Sequence, residues 1–381
     1  MTGCPVHWVD TPAALEAMVA DCLAADVIAL DTEFERSHTF FAQPCLIQLC
    51  DGQKVYLLDP IAIADLTPLA TLLVEPRIIK VLHACSEDLQ LLQRAVQQLP
   101  QPLFDTQLAA ALVGLGNSVG YQRLVAEVLG MSLGKAETRS DWQERPLTPA
   151  QQQYAIDDVW YLHQLYYALC KQLDVLGRRQ WVLDDGTALC AEYQVATAVS
   201  EYYRQVKQAW RLYPQELAIL QALATWREQQ LLVRDIPRNH LLGDQLLWLI
   251  ARRKPRYKAQ LATIKGIKAS VIKRDGDAIL SCVKQGLATP EENLPDRLTK
   301  PLPPASKRYV KKGKQWLVTK AESLQVPVEV LMPKKAFQAL IRSGLYDNAF
   351  CWSMDYENWR YHCFGQELVM YLNEIKQGLE T

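Results

Sequence analysis

The sequence predicts an α/β N-terminal domain built on a mixed sheet, followed by all-α helical domains. Three observations carry that reading. The run Val27-Ile28-Ala29-Leu30 enters Asp31-Thr32-Glu33-Phe34 as a short buried strand would. Two more strand-like runs follow, and then helix, strand and helix alternate, as in a mixed sheet with crossover helices. Beyond about residue 200 only helical periodicity remains. With 381 residues, the chain has room for two or three domains. The boundaries are read as 1–200, 210–290 and 295–381.

The first helix starts at Thr11-Pro12, with Thr as N-cap and Pro at the first helical position. Leu15, Met18, Val19, Cys22 and Leu23 then repeat at helical spacing. After the strand with Asp31 come Cys45–Cys50 and Val55–Leu58, separated by the turn Asp51-Gly52, which together suggest an antiparallel meander. A helix follows Ala64, then a strand over Ile78–Leu82 and a helix over Glu87–Val96. Asp105 precedes a helical run, where capping explains it. Residues 134–142 are polar with a single tryptophan and read as a loop. Thr148-Pro149 opens a long helix whose stripe Tyr154, Asp158, Tyr161, Leu162, Leu165 and Leu169 lies on one face.

In the second half, Tyr213-Pro214 restarts a helical pattern that Asp235-Ile236-Pro237 breaks. Leu246–Ala251 is helical again, and Gly266 separates two short helical patterns as in a tight helix-turn-helix. Lys300-Pro301-Leu302-Pro303-Pro304 is a stiff spacer, after which Val310–Ser323 and Phe337–Ile341 read as helices. The net charge of −1 conceals an asymmetry. Residues 1–190 hold 23 acids against 12 Lys or Arg, whereas Arg252–Lys284 holds ten Lys or Arg and two acids. Such a layout suits an acidic metal site in one part and a polyanion-binding surface in another.

Four acids stand out in the sequence, with an ordinary polar strand end the alternative reading for the first two. Side chains alternate along a strand, so Asp31 and Glu33 share a face, and two adjacent carboxylates need a cation or a proton between them. Asp88 falls in the first turn of a helix, where complementing the helix dipole is the alternative reading. Asp158 interrupts a core-facing stripe four residues after Tyr154, and a carboxylate on a buried face needs a partner. Asp157 is rotated about 100° away, toward solvent. In the loop, Lys135, Arg139 and Trp142 are candidates to hold phosphate and stack a base, with a solvated loop the alternative. In the basic run, Arg252, Arg253, Lys254, Lys265 and Lys268 are candidates for phosphate contacts, against a solvated helix face.

Taken together, these pieces resemble the DEDD exonuclease superfamily in its tyrosine-bearing branch, and within it the ribonuclease D family. The resemblance rests on Asp31-Thr32-Glu33 after an apolar strand, on Val81-Leu82-His83 with Asp88, and on Tyr154-Ala155 with Asp158-Val159. Leu46-Ile47-Gln48-Leu49, Asp59-Pro60, Phe104-Asp105-Thr106 and Arg139-Ser140-Asp141-Trp142 match as well. Residues 210–290 resemble an HRDC domain, and 295–381 a second, divergent copy. The resemblance implies a ribonuclease H-like fold and 3′→5′ hydrolysis of RNA to 5′-mononucleotides. It implies two divalent ions, Mg²⁺ or Mn²⁺, held by Asp31, Glu33, Asp88 and Asp158, with Tyr154 orienting the attacking water. Precursors of transfer RNA and other small structured RNAs are the implied substrates. The rivals are a DNA 3′→5′ exonuclease using the same acids and a nucleic-acid-binding protein with a dead nuclease domain.

Composition narrows the setting. No apolar run approaches the ~20 residues of a membrane span, and Met1-Thr2-Gly3-Cys4-Pro5 lacks a secretory layout. Ten scattered cysteines without metal-ligand spacing fit reduced thiols in a cytoplasmic protein.

Overall fold

The computed structural model describes residues 4–36, 39–134, 137, 140–195, 198–353 and 358–378. In chain order, the first half contains β1 (Val6–Val9), α1 (Pro12–Cys22), β2 (Val27–Glu35), β3 (Gln43–Cys50), β4 (Val55–Leu58), α2 (Leu69–Val74), β5 (Ile79–Leu82), α3 (Ser86–Ala95), β6 (Leu103–Asp105), α4 (Thr106–Leu112), α5 (Tyr121–Leu129), α6 (Pro149–Leu176) and α7 (Arg179–Gln194). The helices that follow are α8 (Pro214–Arg234), α9 (Arg238–Leu241), α10 (Asp244–Arg253), α11 (Lys258–Ala262), α12 (Ala269–Leu287), α13 (Lys307–Leu324), α14 (Val328–Leu331), α15 (Lys334–Tyr346) and α16 (Gln366–Gln377).

The strands form one sheet in the order β1-β4-β3-β2-β5-β6. It is mixed, as expected: β3 runs antiparallel to β4, while β1–β4, β2–β5 and β5–β6 are parallel. The outermost strands, β1 and β6, were not foreseen; at four and three residues they are too short to show alternation. Strand β2 lies inside the sheet, and its alternation splits the core in two. Val27 and Ala29 face one hydrophobic cluster, shared with Ala155, Val159 and Leu162 of α6. Ile28 and Leu30 face the other, shared with Leu89 and Leu92 of α3. By the same parity, Asp31 and Glu33 leave the strand on the α6 side and Thr32 on the α3 side.

Local sequence anchors both helices. Thr148 and Gln151 cap α6 reciprocally, with Gln151 N donating to Thr148 Oγ1 at 3.2 Å and Thr148 N to Gln151 Oε1 at 2.9 Å. Gly177, at φ 67°, ends it. Before α3, the Asp105 carboxylate accepts from the backbone of Ala84 at 3.1 Å and Cys85 at 3.4 Å. It also caps α4 through Gln107 N.

By contacts the chain falls into two units. One comprises residues 1–35, 44–194 and 302–381; the other comprises 36–43 and 195–301. Residues 302–381 therefore do not stand apart as a compact unit. Leu317, Phe337, Leu340 and Leu372 share a hydrophobic cluster with α6. Arg360 grips Asp185 of α7 with two 2.7 Å bonds, and Trp359 stacks on Trp181 at 4.1 Å. Arg178 bonds the carbonyls of Leu112 and Leu324. Burying each such large apolar side chain stabilises by about 1.5–3 kcal/mol, which explains why these helices join this core.

The second unit is helical. Arg227 and Glu228, both nearly inaccessible, pair within α8 and extend to Asp244 and Arg238. Arg234 grips the buried Asp275 of α12. Asp235, at φ 44°, ends α8 and accepts from the backbone of Phe40 at 2.9 Å and Phe41 at 3.3 Å. Gly266, at φ 103°, makes the turn between α11 and α12, a conformation that favours glycine. No helix among the described residues is long and apolar enough to cross a membrane.

Candidate metal centre and active site

Beside the second half of β2, one carboxylate oxygen each from Asp31, Glu33 and Asp158 lies within 4.8 Å of the others. Asp31 and Glu33 come from the α6 face of the strand, and Asp158 meets them from α6 itself. Asp88 approaches from the opposite face, on the first turn of α3. Thr32, which the strand turns to that face, donates to Asp88 Oδ1 at 2.5 Å and so fixes its carboxylate. Among the described residues, no Lys or Arg forms an ion pair with any of the four. The donor set is therefore all-oxygen and lacks a counter-charge, which fits hard divalent cations.

The electrostatics follow. Burial first, then the charges of Asp158 and Asp88, pushes Asp31 well above the usual carboxylate range. Burial, with Asp31 and Asp88, pushes Glu33 up to about 9. Asp158 is raised by burial and by Glu33, although a hydrogen bond from Tyr154 opposes the rise. Burial lifts Asp88 to about 6 against the Thr32 hydrogen bond that stabilises its charged form. Burial and the neighbouring carboxylates also raise the Tyr154 phenol, so it stays protonated near neutral pH.

A pocket of about 470 Å³ opens over Asp31, Asp158 and Tyr154, and Gly120, Tyr121, Gln122 and Arg123 form part of its wall. Tyr121 bonds the backbone carbonyls of Asp157 at 2.9 Å and Asp158 at 2.7 Å, tying the start of α5 to α6. His83 lies 5.5 Å from the Tyr121 ring, and its Nδ1 is 2.9 Å from Thr106 Oγ1. Burial lowers its pKa, so it is a packed neutral histidine outside the carboxylate cluster.

Comparison with known proteins agrees with this arrangement. Residues 6–174 match the 3′-5′ exonuclease family and residues 216–283 the HRDC domain. Ribonuclease D of Pseudomonas paraeruginosa is 40% identical over 369 residues, covering 97% of this chain and 98% of that protein. The chain belongs to the ribonuclease D family. It is accordingly a hydrolytic 3′→5′ exoribonuclease. Ribonuclease D of Escherichia coli is 35% identical over 87% of this chain and 89% of its own length. A crystal structure of Escherichia coli RNase D, described as an exoribonuclease involved in structured RNA processing, superposes with a TM-score of 0.90 at 33% identity. The match covers 97% of this chain and 99% of that one.

Within this ribonuclease D fold the remaining candidates fare differently. Lys135 and Arg139 lie outside the described residues. Trp142 corrects the expectation of a base-stacking ring: it is 3% exposed and packs 6.1 Å from the Tyr154 ring. The physical reason is Arg145, which binds Asp59 and the carbonyls of Cys45 and Trp142 and so holds the backbone at Trp142 inward. Arg252 and Lys254 both pair with the buried Glu216, at 2.9 and 3.7 Å, so their charge is partly engaged. Arg253, Lys265 and Lys268 are exposed. Thr32, Tyr121 and Arg123 escaped the sequence reading. Thr32 had one available signal, its place between two candidate ligands.

Proposed function

We propose that this exoribonuclease works at a two-metal site formed by Asp31, Glu33, Asp88 and Asp158, with Tyr154 orienting the attacking water. The observation that carries the proposal is the cluster of three carboxylates within 4.8 Å, with which no Lys or Arg among the described residues forms an ion pair. Two Mg²⁺ or Mn²⁺ ions bound there would supply Lewis acidity toward the phosphoryl oxygens and lower the pKa of a water. The protein's own groups do the positioning. Thr32 holds the Asp88 carboxylate in one rotamer. Tyr154 donates a hydrogen bond to the Asp158 carboxylate. Its oxygen lone pairs then remain to accept from the water and aim it. A phenol held protonated acts as such a guide rather than as a base.

The substrates in this reading are 3′ ends of transfer RNA precursors and other small structured RNAs. Arg253, Lys265 and Lys268 of the HRDC unit would contact RNA phosphates, with Arg252 and Lys254 contributing beside their Glu216 pairs. Residues 295–381 would be a second, divergent HRDC-like domain, of which 302–381 pack within the first unit. Ten free cysteines support a reducing, cytoplasmic setting.

The test is incubation with matched 3′-hydroxyl RNA and DNA oligonucleotides in Mg²⁺ and in chelator. Stepwise, metal-dependent release of 5′-mononucleotides from RNA alone is expected. Asp31→Asn should abolish hydrolysis while RNA binding persists. Normal turnover by that variant would sink the site assignment. Equal degradation of DNA would leave only the superfamily chemistry, and no product with binding intact would favour a dead nuclease.

A further inference from the structure

We propose that Arg123 grips the phosphodiester next to the scissile one on the polymer side of the RNA, and so sets how tightly the strand is drawn into the site. The inference rests on the RNA-trimming reading above.

The pocket that contains Asp31, Tyr154 and Asp158 is an acidic floor, and RNA is a polyanion. Divalent ions would neutralise the floor but not the approach to it. Arg123 is the one Lys or Arg among the described residues that line this pocket. Depth separates the two sites. Asp158 is 8% exposed at the floor, whereas the Arg123 side chain is 63% exposed at the rim. A guanidinium at the rim meets a neighbouring phosphate, not the one held over the carboxylates.

Arg123 is available for that role. Its partner is Glu127, one turn along α5 at 2.7 Å, with both side chains substantially exposed. Exposed i,i+4 pairs of this kind are weak, so a phosphate competes readily. A guanidinium also matches phosphate geometry with two parallel hydrogen bonds. The helix start adds to it: α5 begins at Gly120 with no side-chain cap and no acid in its first turn. Its positive dipole end thus meets no acid from α5's own first turn. The bonds from Tyr121 to the carbonyls of Asp157 and Asp158 fix this first turn against α6. Arg123 is thus anchored to the same helix that carries Asp158.

The experiment compares a 3′-hydroxyl dinucleotide, with its single phosphodiester, and a tetranucleotide of the same RNA sequence, in Mg²⁺. Arg123→Ala should raise KM and lower kcat/KM on the tetranucleotide about tenfold, the effect of one lost charge-assisted bond. On the dinucleotide it should stay within about twofold of wild type, and kcat should hold on both. The slope of log kcat/KM against log salt should shrink by about 0.7 on the tetranucleotide, and Arg123→Lys should recover part of the loss. Glu127→Gln, which breaks the helix pair but keeps the guanidinium, should match wild type on both lengths. Equal loss on both lengths, no loss on either, or a Glu127→Gln variant that mimics Arg123→Ala would each overturn the proposal. Absence of turnover by the wild type on either RNA would overturn the RNA-trimming reading and this one with it.

Discussion

Replacing Glu33 by glutamine should stabilise the metal-free protein while destroying its activity. In the folded chain Glu33 titrates at about 9, against an ordinary 4.5. Between those values the folded state carries a proton that the unfolded state has released, so stability falls as pH rises. Below pH 4.5 there is no cost. From 4.5 to 7 each pH unit costs ~1.4 kcal/mol, about 3 kcal/mol in all. Glutamine keeps the shape without the proton uptake and removes that cost. For a chain of this size the difference corresponds to a Tm higher by about 5 °C. The assay is thermal unfolding of both proteins in chelator at pH 4.5 and pH 7. The variant should match wild type at the lower pH and exceed it at the higher. Mg²⁺ should raise the wild-type Tm at pH 7 far more than that of the variant. A variant no more stable than wild type at pH 7, or a gap independent of pH, would refute the claim that burying Glu33 beside the other carboxylates costs stability.

Other consequences can be measured with the same protein. Tyr154→Phe should lower kcat about 10²-fold, yet keep the Mg²⁺-induced rise in Tm, because the carboxylates remain; loss of that rise would make the tyrosine a structural support. Arg145→Ala should cost about 3 kcal/mol in urea unfolding, since it leaves the Asp59 carboxylate, 4% exposed, without its cation. The Trp142 loop should loosen with it, read as increased quenching of tryptophan fluorescence by iodide. Ending the chain at Pro301 should expose the apolar faces of the first unit and give a protein that binds hydrophobic dyes; a well-folded, fully active truncation would contradict the shared core.

The site was legible in sequence wherever periodicity carries information. Asp31 and Glu33 could be placed on one face because strands alternate, and Asp158 could be placed beside Tyr154 because helices repeat every four residues. Asp88 was harder: its register within a helix is readable, but the Thr32 hydroxyl that holds it lies 56 residues away in sequence. Tyr121 and Arg123 are silent in sequence for the same reason, since the pocket they line is closed by α6, more than thirty residues on. Trp142 misled because an aromatic among polar residues looks like a surface ring. What buries it is an ion pair between Arg145 and Asp59, 86 positions apart. The helices after residue 302 show apolar faces in sequence, but amphipathic periodicity does not name the surface those faces will cover.

That last feature bears on when α6 gains its full set of neighbours during synthesis. Helix α6, which carries Tyr154 and Asp158, rests on a cluster that also includes Leu317, Phe337 and Leu372. Those residues are made well after α6, which ends at Leu176. At about 5–20 residues per second, the helix waits roughly 10–40 seconds for Leu372 after its own sequence has been made. For that interval of synthesis, a helix that carries candidate catalytic groups lacks part of the apolar surface it packs against in the folded chain.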